Sequence, residues 1–271
     1  MLRARAEARA LAVAGLGACV VASPVDHHER AVVIAEGRDG RVVVKADVDL
    51  RRLTAEAAAL SAAAAGGVRV PEVVAAEPGL LVLGWLEGRP LHPDDDVGTW
   101  HSVGATFRQL HRTQTTGFAV VPAGWVDAFE GWGRADLEAD PVSRAAWPQV
   151  EAALARAIDA RPGTTDLTQG DAQLDHTFVG DAGPGLLDFG EAGLADGLID
   201  LVVLTVGVAH RLPLVLDGYE ADRSLRERLA LVGPAVALIR LAAGGRWMRE
   251  HGMDDAWHVT ALAAAVAALP T

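Results

Sequence analysis

The chain has 271 residues, a formal net charge of −12 at pH 7 and 51% hydrophobic residues. This apolar content is enough for the core of one large domain or two lobes, and it excludes an intrinsically disordered chain. The acidic charge lies mostly in the C-terminal two thirds; it argues against a nucleic-acid partner, since phosphate backbones need basic surfaces, and is compatible with a cationic or neutral ligand.

The N-terminal segment predicts a helix, roughly over residues 2–14, that runs into a first strand. The following LGAC resembles a lipoprotein cleavage site, but Glu7 interrupts the basic segment and the apolar run is short. Cys19 is the only cysteine, which excludes an intrachain disulfide and favours a reducing, cytoplasmic compartment. No continuous apolar run reaches the roughly 18–20 residues that span a bilayer, so no membrane partner is expected.

The next residues predict a small antiparallel sheet. Two β-branched segments, 17–23 and 30–37, flank a loop with two histidines, and Asp39-Gly40 is typical of a tight hairpin turn. The third strand contains Lys45, the only lysine in a chain that otherwise uses arginine. This lysine reflects either chance or a position that requires a compact ammonium, which a guanidinium cannot replace.

A helix is predicted over residues 49–67, where apolar residues recur at spacings of three and four positions. Asp49 fits an N-cap, and the pair Gly66-Gly67 fits the end of the helix. Glu56 lies near the inward face of this helix. An acidic side chain there is either solvated or paired with a group on the sheet.

Residues 68–91 predict two further strands that end in a crossing rich in glycine and proline, residues 84–90, which suits a hinge between lobes. From residue 96 onward the pattern is mainly helical, with predicted helices over residues 142–160 and 224–250.

The break between these helices, residues 166–191, contains the groups for chemistry. Asp171 follows Gly170 in a loop, and a short strand and a turn precede a second short strand that ends at Asp188. This hairpin brings the two carboxylates to one edge. Two neighbouring carboxylates hold Mg²⁺, perform acid–base chemistry, or do both.

The run QGDAQLDHTFV…GLLDFGEAG resembles the catalytic (Brenner) loop and the metal loop of the aminoglycoside phosphotransferase and choline-kinase-like family. The similarity extends upstream to Lys45, Glu56 and the crossing LLVLGWLEGRPL, and downstream to GLADGLIDLVVLTVG. It covers about residues 15–250. The resemblance implies an α+β, bilobal, protein-kinase-like fold, with an antiparallel β N-lobe over residues 1–88 and a mostly α-helical C-lobe over residues 89–271.

The resemblance also implies a nucleotide site. Lys45 would hold the α- and β-phosphates of ATP or GTP, and Glu56 would pair with it. Gly84, Trp85 and Leu86 would present backbone groups to the purine. Because backbone groups would recognise the base, the sequence does not separate ATP from GTP.

The same resemblance assigns catalysis and metal binding. Asp171 would orient the acceptor hydroxyl and accept its proton, and Asp188 would bind the Mg²⁺ that bridges the nucleotide phosphates. Two positions depart from the family pattern: Gln169 replaces a histidine, and His176 replaces an asparagine whose oxygen suits Mg²⁺ better than an imidazole nitrogen does. Either His176 still binds one metal ion, or Asp175 takes its place, or Asp188 holds a single Mg²⁺.

The resulting expectation is an O-phosphotransferase that acts on a small hydroxylated acceptor. An antibiotic, either an aminoglycoside or a nucleoside- or sugar-containing compound, is the favoured acceptor, in resistance or self-resistance. The alternatives are a kinase for a metabolite such as a sugar or amino alcohol, and a nucleotide-binding pseudokinase. The sequence feature that favours the pseudokinase is His176, which replaces the asparagine of the family pattern. The tryptophan-bearing segment 124–138 is either a substrate flap or a packed connection.

Overall fold

The computed structural model of the chain describes residues 1–15, 17–26, 29–115, 134–159 and 166–269. The two histidines of the loop before the second strand, His27 and His28, lie outside the described residues, and so does most of the predicted flap.

The described residues form strands and helices in the following order. The strands are β1 (Cys19–Asp26), β2 (Arg30–Gly37), β3 (Gly40–Asp47), β4 (Val73–Glu77), β5 (Leu80–Gly84), β6 (Arg89–Pro90), β7 (Asp166–Thr168), β8 (Thr177–Gly180), β9 (Gly183–Leu186) and β10 (Gly193–Ala195). The α-helices are α1 (Leu2–Ala14), α2 (Leu50–Ala65), α3 (Val97–His111), α4 (Arg134–Ala139), α5 (Pro141–Ala145), α6 (Trp147–Asp159), α7 (Leu198–Thr205), α8 (Leu212–Gly218), α9 (Arg223–Glu250) and α10 (Ala256–Ala267).

The chain divides into two compact units, which are described separately here. The first consists of the described parts of Met1–Leu91, Arg112–Val120 and Gln169–Ala192, and the second contains the rest. The hairpin that the sequence assigned to the C-terminal lobe therefore belongs to the same unit as the N-terminal sheet. The lobe boundary at residue 88 remains a prediction.

The main sheet of the first unit is antiparallel with the order β1-β2-β3-β5-β4, which confirms the predicted five-stranded sheet. Its buried face is made of small and β-branched residues that alternate along β2 and β3, as expected for strands with one face on a core. Helix α1 covers this face through three fully buried alanines, Ala6, Ala10 and Ala14. Their small side chains allow the helix to approach the sheet closely.

Helix α2 begins and ends close to the predicted positions. The side chain of Asp49 accepts a hydrogen bond from the amide of Arg51, so this aspartate is the N-cap. After the last turn, Gly67 adopts a φ of 81°, which favours glycine. Glu56 lies on the buried face of the helix together with Leu53.

The hairpin of the first unit is tighter than the sequence analysis anticipated. Strand β8 pairs with β9 up to Gly180 and Gly183, so only two residues form the turn. The sequence run DAGPG, residues 181–185, is typical of a turn, but this prediction was wrong at residues 183–185, which begin β9. Asp188 also lies two residues beyond the end of the strand and not within it.

The second unit is mainly helical, but the helix predicted over residues 142–160 is divided into α5 and α6. Pro148 explains the division: without an amide hydrogen it cannot continue the hydrogen bonds of α5 into the next turn, whereas a proline is tolerated in the first turn of a new helix. Helix α9 packs against α6, α7 and α10.

One helix of the described part of the chain, α9, is long and apolar enough to cross a membrane by length and composition. Charged residues interrupt α9, so this helix contains no continuous apolar run of the length considered in the sequence analysis. Core helices of soluble proteins meet the same criterion, and 44% of the most apolar 18-residue stretch of α9 is buried inside the protein. This single helix is weak evidence for a membrane span.

A buried polar cluster joins three helices of the second unit. The imidazole Nε2 of His111, on α3, lies 3.1 Å from Asp200 Oδ2, on α7, and its Nδ1 lies 3.0 Å from the hydroxyl of Tyr219. The side chains of His111 and Asp200 are both almost completely buried. The histidine therefore links the helices and has a structural role.

Removal of this link should destabilise the protein. We expect His111→Ala to lower the free energy of unfolding by about 3 kcal/mol, because it removes hydrogen bonds to Asp200 and Tyr219 and leaves a cavity between the helices. Urea unfolding measures the change, with His210→Ala, an exposed histidine, as the matched control. Equal stability of the two variants would contradict the structural role.

Candidate active site

The first unit brings the single lysine between two carboxylates. Lys45 lies on β3, where it pairs with Leu81 of β5, and only 8% of the residue is exposed. Its ammonium donates a hydrogen bond of 2.5 Å to Glu56 Oε1 and one of 2.9 Å to Asp188 Oδ1. The three residues come from a strand, a helix and a loop, and Lys45 and Asp188 are 143 positions apart.

The electrostatics of this cluster keep the lysine charged. Burial alone would lower the pKa of Lys45, but the charges of Glu56 and Asp188 outweigh it and raise that pKa above its ordinary value. Burial raises the pKa of Glu56, and the lysine only partly opposes this. Burial would also raise the pKa of Asp188, yet Lys45 and then His176 hold it well below the usual range. Lys45 is therefore an ammonium and Asp188 a carboxylate at neutral pH.

The backbone aims the Asp188 carboxylate at the lysine. Asp188 has a φ of 51°, in the left-handed region that few residues other than glycine adopt. The amide of Leu187 donates to the carbonyl of His176, and the amide of Gly190 donates to Asp188 Oδ1 at 3.3 Å. These hydrogen bonds hold the bend, so that one carboxylate oxygen contacts Lys45 while the other remains available.

Asp171 lies in a loop that depends on a glycine. Gly170 has a φ of 82°, and a β-carbon at this position would lie 2.1 Å from the carbonyl oxygen of Glu191. The side-chain amide of Gln173 donates to both carboxylate oxygens of Asp171, at 2.9 and 3.0 Å. Sequence analysis missed Gln173; its only signal was its place two residues after Asp171 in the same loop.

His176 lies between the two aspartates. Its Nδ1 is 2.9 Å from the backbone carbonyl oxygen of Asp171 and 3.6 Å from Asp171 Oδ2. Its Nε2 is 4.0 Å from Asp188 Oδ2. The neighbouring Asp175 is exposed. The structure thus brings together Lys45, Glu56, Asp171, His176 and Asp188 in one unit.

Comparison with known proteins identifies the family. The model of a phosphotransferase enzyme family, APH, matches residues 4–232. The chain belongs to this phosphotransferase family. A comparison with curated protein sequences finds no match.

Solved structures support the predicted fold. A macrolide 2′-phosphotransferase from Brachybacterium faecium is 22% identical, with coverage of 92% of this chain and 93% of that chain and a TM-score of 0.63. A choline/ethanolamine kinase family protein from Mesorhizobium loti is 19% identical, with coverage of 98% and 94% and a TM-score of 0.72. A microcompartment-associated aminopropanol kinase is 17% identical, with coverage of 92% and 90% and a TM-score of 0.71. The predicted α+β, protein-kinase-like fold is confirmed.

Gln169, which occupies the position of the family histidine, has a structural role in the loop. Its side chain is completely buried, and its amide donates to the backbone carbonyl of Leu187. This contact ties the segment before Asp171 to the segment before Asp188. Gln169 therefore provides a hydrogen bond that connects the two loops.

The three residues that the sequence predicts for the hinge, Gly84, Trp85 and Leu86, differ in their surroundings. The amide of Gly84 donates to the carbonyl of Glu72 at 2.9 Å, so this donor is already engaged. The guanidinium carbon of Arg41 lies 4.6 Å from the centre of the Trp85 ring, a cation–π contact. Leu86 is buried. Purine recognition by this segment would therefore fall to the backbone of Trp85 and Leu86.

The residues of the site fit a divalent cation that is bound together with a nucleotide. Within the described residues, no group of three or more histidine, cysteine, aspartate or glutamate side chains could hold a metal ion alone. Mg²⁺ in phosphoryl-transfer sites takes one or two carboxylates and completes its shell with phosphate oxygens and water. Asp188 suits that role, whereas the nitrogen of His176 departs from the preferred oxygen ligands.

Proposed function

We propose that this protein moves the γ-phosphoryl group of ATP or GTP to a hydroxyl of a small molecule. The observation that carries the proposal is the single lysine, whose buried ammonium is held between Glu56 and Asp188. A compact point charge that is fixed by two carboxylates is suited to bind phosphate oxygens. We place the reaction in the cytoplasm, where both nucleotides are available.

The residues of the candidate site would have the following roles. Lys45 binds the α- and β-phosphates, and Glu56 holds its ammonium in place. Asp171 accepts the proton of the acceptor hydroxyl while the acceptor oxygen forms a bond to the γ-phosphorus and the bond from this phosphorus to the β-phosphate oxygen breaks. Asp188 and His176 would hold a divalent cation, which neutralises the phosphate charge when bound. Catalysis then rests on positioning and on charge complementarity.

Gln173 should act as a positioning residue for Asp171, because its amide donates to both carboxylate oxygens. We expect Gln173→Leu to lower kcat about tenfold and to leave the KM for the nucleotide nearly unchanged, since the leucine keeps the volume but removes two hydrogen bonds that orient the Asp171 carboxylate. Steady-state kinetics separates the two constants. Gln173→Glu, which introduces a like charge beside Asp171, should reduce kcat further, and normal kcat in both variants would contradict the role.

An antibiotic is the acceptor class that we favour. Similar folds carry macrolide 2′-phosphotransferase activity by name, and the ternary complex of an aminoglycoside phosphotransferase contains hygromycin B. The acidic charge of this chain suits a cationic acceptor such as an aminoglycoside. Its seven tryptophans suit a nucleoside- or sugar-containing compound.

A kinase for an amino alcohol is the second candidate. The choline/ethanolamine kinase family protein and the aminopropanol kinase have higher TM-scores against this chain than the macrolide enzyme does. A cationic amine would also suit the acidic charge. A nucleotide-binding pseudokinase is the third candidate, and His176 is the residue that favours it.

The test is a transfer screen read by mass spectrometry. The pure protein is incubated with ATP or GTP and Mg²⁺ or Mn²⁺, and with panels of aminoglycosides, macrolides, nucleoside antibiotics, sugars and amino alcohols. Addition of one phosphoryl group to a single acceptor supports the proposal and identifies the acceptor class. Nucleotide binding without transfer to any compound favours the pseudokinase, and the absence of both would refute the proposal.

A further inference from the structure

The hydrogen bonds of His176 determine which of its ring nitrogens is free. Nδ1 lies 2.9 Å from the backbone carbonyl oxygen of Asp171. A carbonyl oxygen only accepts hydrogen bonds, so Nδ1 must carry the proton and donate it. In the neutral imidazole, Nε2 then bears the lone pair. Histidines that bind metals are commonly fixed in this way, by a carbonyl or carboxylate on the second nitrogen.

The free nitrogen faces the carboxylate that the family uses for its metal ion. Nε2 lies 4.0 Å from Asp188 Oδ2. Two ligands that each lie about 2.1 Å from one cation are at most about 4.2 Å apart. Lys45 occupies the other carboxylate oxygen, Oδ1, so Oδ2 remains for a cation. The neighbouring Asp175 is exposed.

The chemistry of a nitrogen ligand differs from that of the oxygen it replaces. Mg²⁺ prefers an all-oxygen shell, whereas transition-metal dications accept imidazole readily. We propose that His176 is a metal ligand through Nε2 and makes the nucleotide-bound centre select a transition-metal dication such as Mn²⁺ over Mg²⁺. This inference rests on the proposed function, because phosphate oxygens must complete the coordination shell.

Pulsed electron paramagnetic resonance on bound Mn²⁺ tests the ligand directly, without turnover. The full chain is loaded with Mn²⁺ and a β,γ-methylene nucleotide, which has no nitrogen in its phosphate chain. We expect a ¹⁴N coupling to the metal that changes to ¹⁵N in protein grown with ¹⁵N-histidine. The coupling should disappear in His176→Asn and persist in His210→Asn, an exposed control.

Metal affinities give a second readout. The ratio of the Kd for Mg²⁺ to the Kd for Mn²⁺, measured with nucleotide present, should fall about tenfold in His176→Asn and stay unchanged in His210→Asn. Mn²⁺ that binds with nucleotide but shows no histidine coupling would overturn the inference and leave the proposed function intact. A chain that binds no nucleotide at all would overturn both.

Discussion

Asp171→Asn should reduce kcat by about 10³-fold while nucleotide binding stays within a factor of about two. The asparagine has the same shape and can still accept a hydrogen bond from Gln173, so the loop keeps its geometry. It cannot accept the proton of an acceptor hydroxyl, and loss of a general base typically costs 10²–10⁴ in rate. Asp171 binds no phosphate group in the proposed mechanism, which is why the nucleotide affinity should survive.

The chain offers a clean way to measure the two effects separately. Lys45 is the only lysine, so an acyl-phosphate nucleotide can acylate a single lysine side chain, and mass spectrometry of the labelled peptide reports nucleotide binding. Asp181→Asn, in the exposed turn of the same hairpin, is the matched control and should turn over normally. If Asp171→Asn kept more than a tenth of the activity, another group would have to take the proton.

Local signals in the sequence were sufficient for much of the first unit. The alternation along the strands and the N-cap Asp49 depend on neighbours within a few positions, and the structure contains both, whereas the hairpin turn lies at Arg38-Asp39, one position before the predicted Asp39-Gly40. Pro148 was the local signal that was overlooked, and it divides the helix predicted over residues 142–160. Periodicity alone hides such a break, because the apolar spacing continues across it.

The arrangement of the site required more than local signals. Lys45 and Asp188 are 143 positions apart, and only the resemblance to a family suggested that they meet. The contact of Gln173 with Asp171 could not be predicted, since it depends on how a loop closes after the chain has folded. The cation–π contact between Arg41 and Trp85 is another such case. Side-chain contacts of this kind produce no periodic pattern of residues in the sequence.

Lys45→Met should both destabilise the protein and abolish phosphoryl transfer, and the two effects should be separable. The variant leaves the Glu56 carboxylate, of which 1% is exposed, buried without its partner. Breaking one side of a buried ion pair typically costs 3–5 kcal/mol, so we expect a loss of about 3 kcal/mol in urea unfolding. The Asp188 side chain is 35% exposed, so water can solvate it, and its contribution should be smaller.

The double variant Lys45→Met with Glu56→Gln distinguishes the structural role from the functional one. Neutralising Glu56 removes the unpaired buried charge, so more than half of the lost stability should return. Activity should not return, because no ammonium remains to bind the phosphates, and turnover should stay at least 10²-fold below that of the unaltered protein. If the double variant regained activity together with stability, Lys45 would serve only to neutralise Glu56. Its isolation in an arginine-rich chain would then have no catalytic reason.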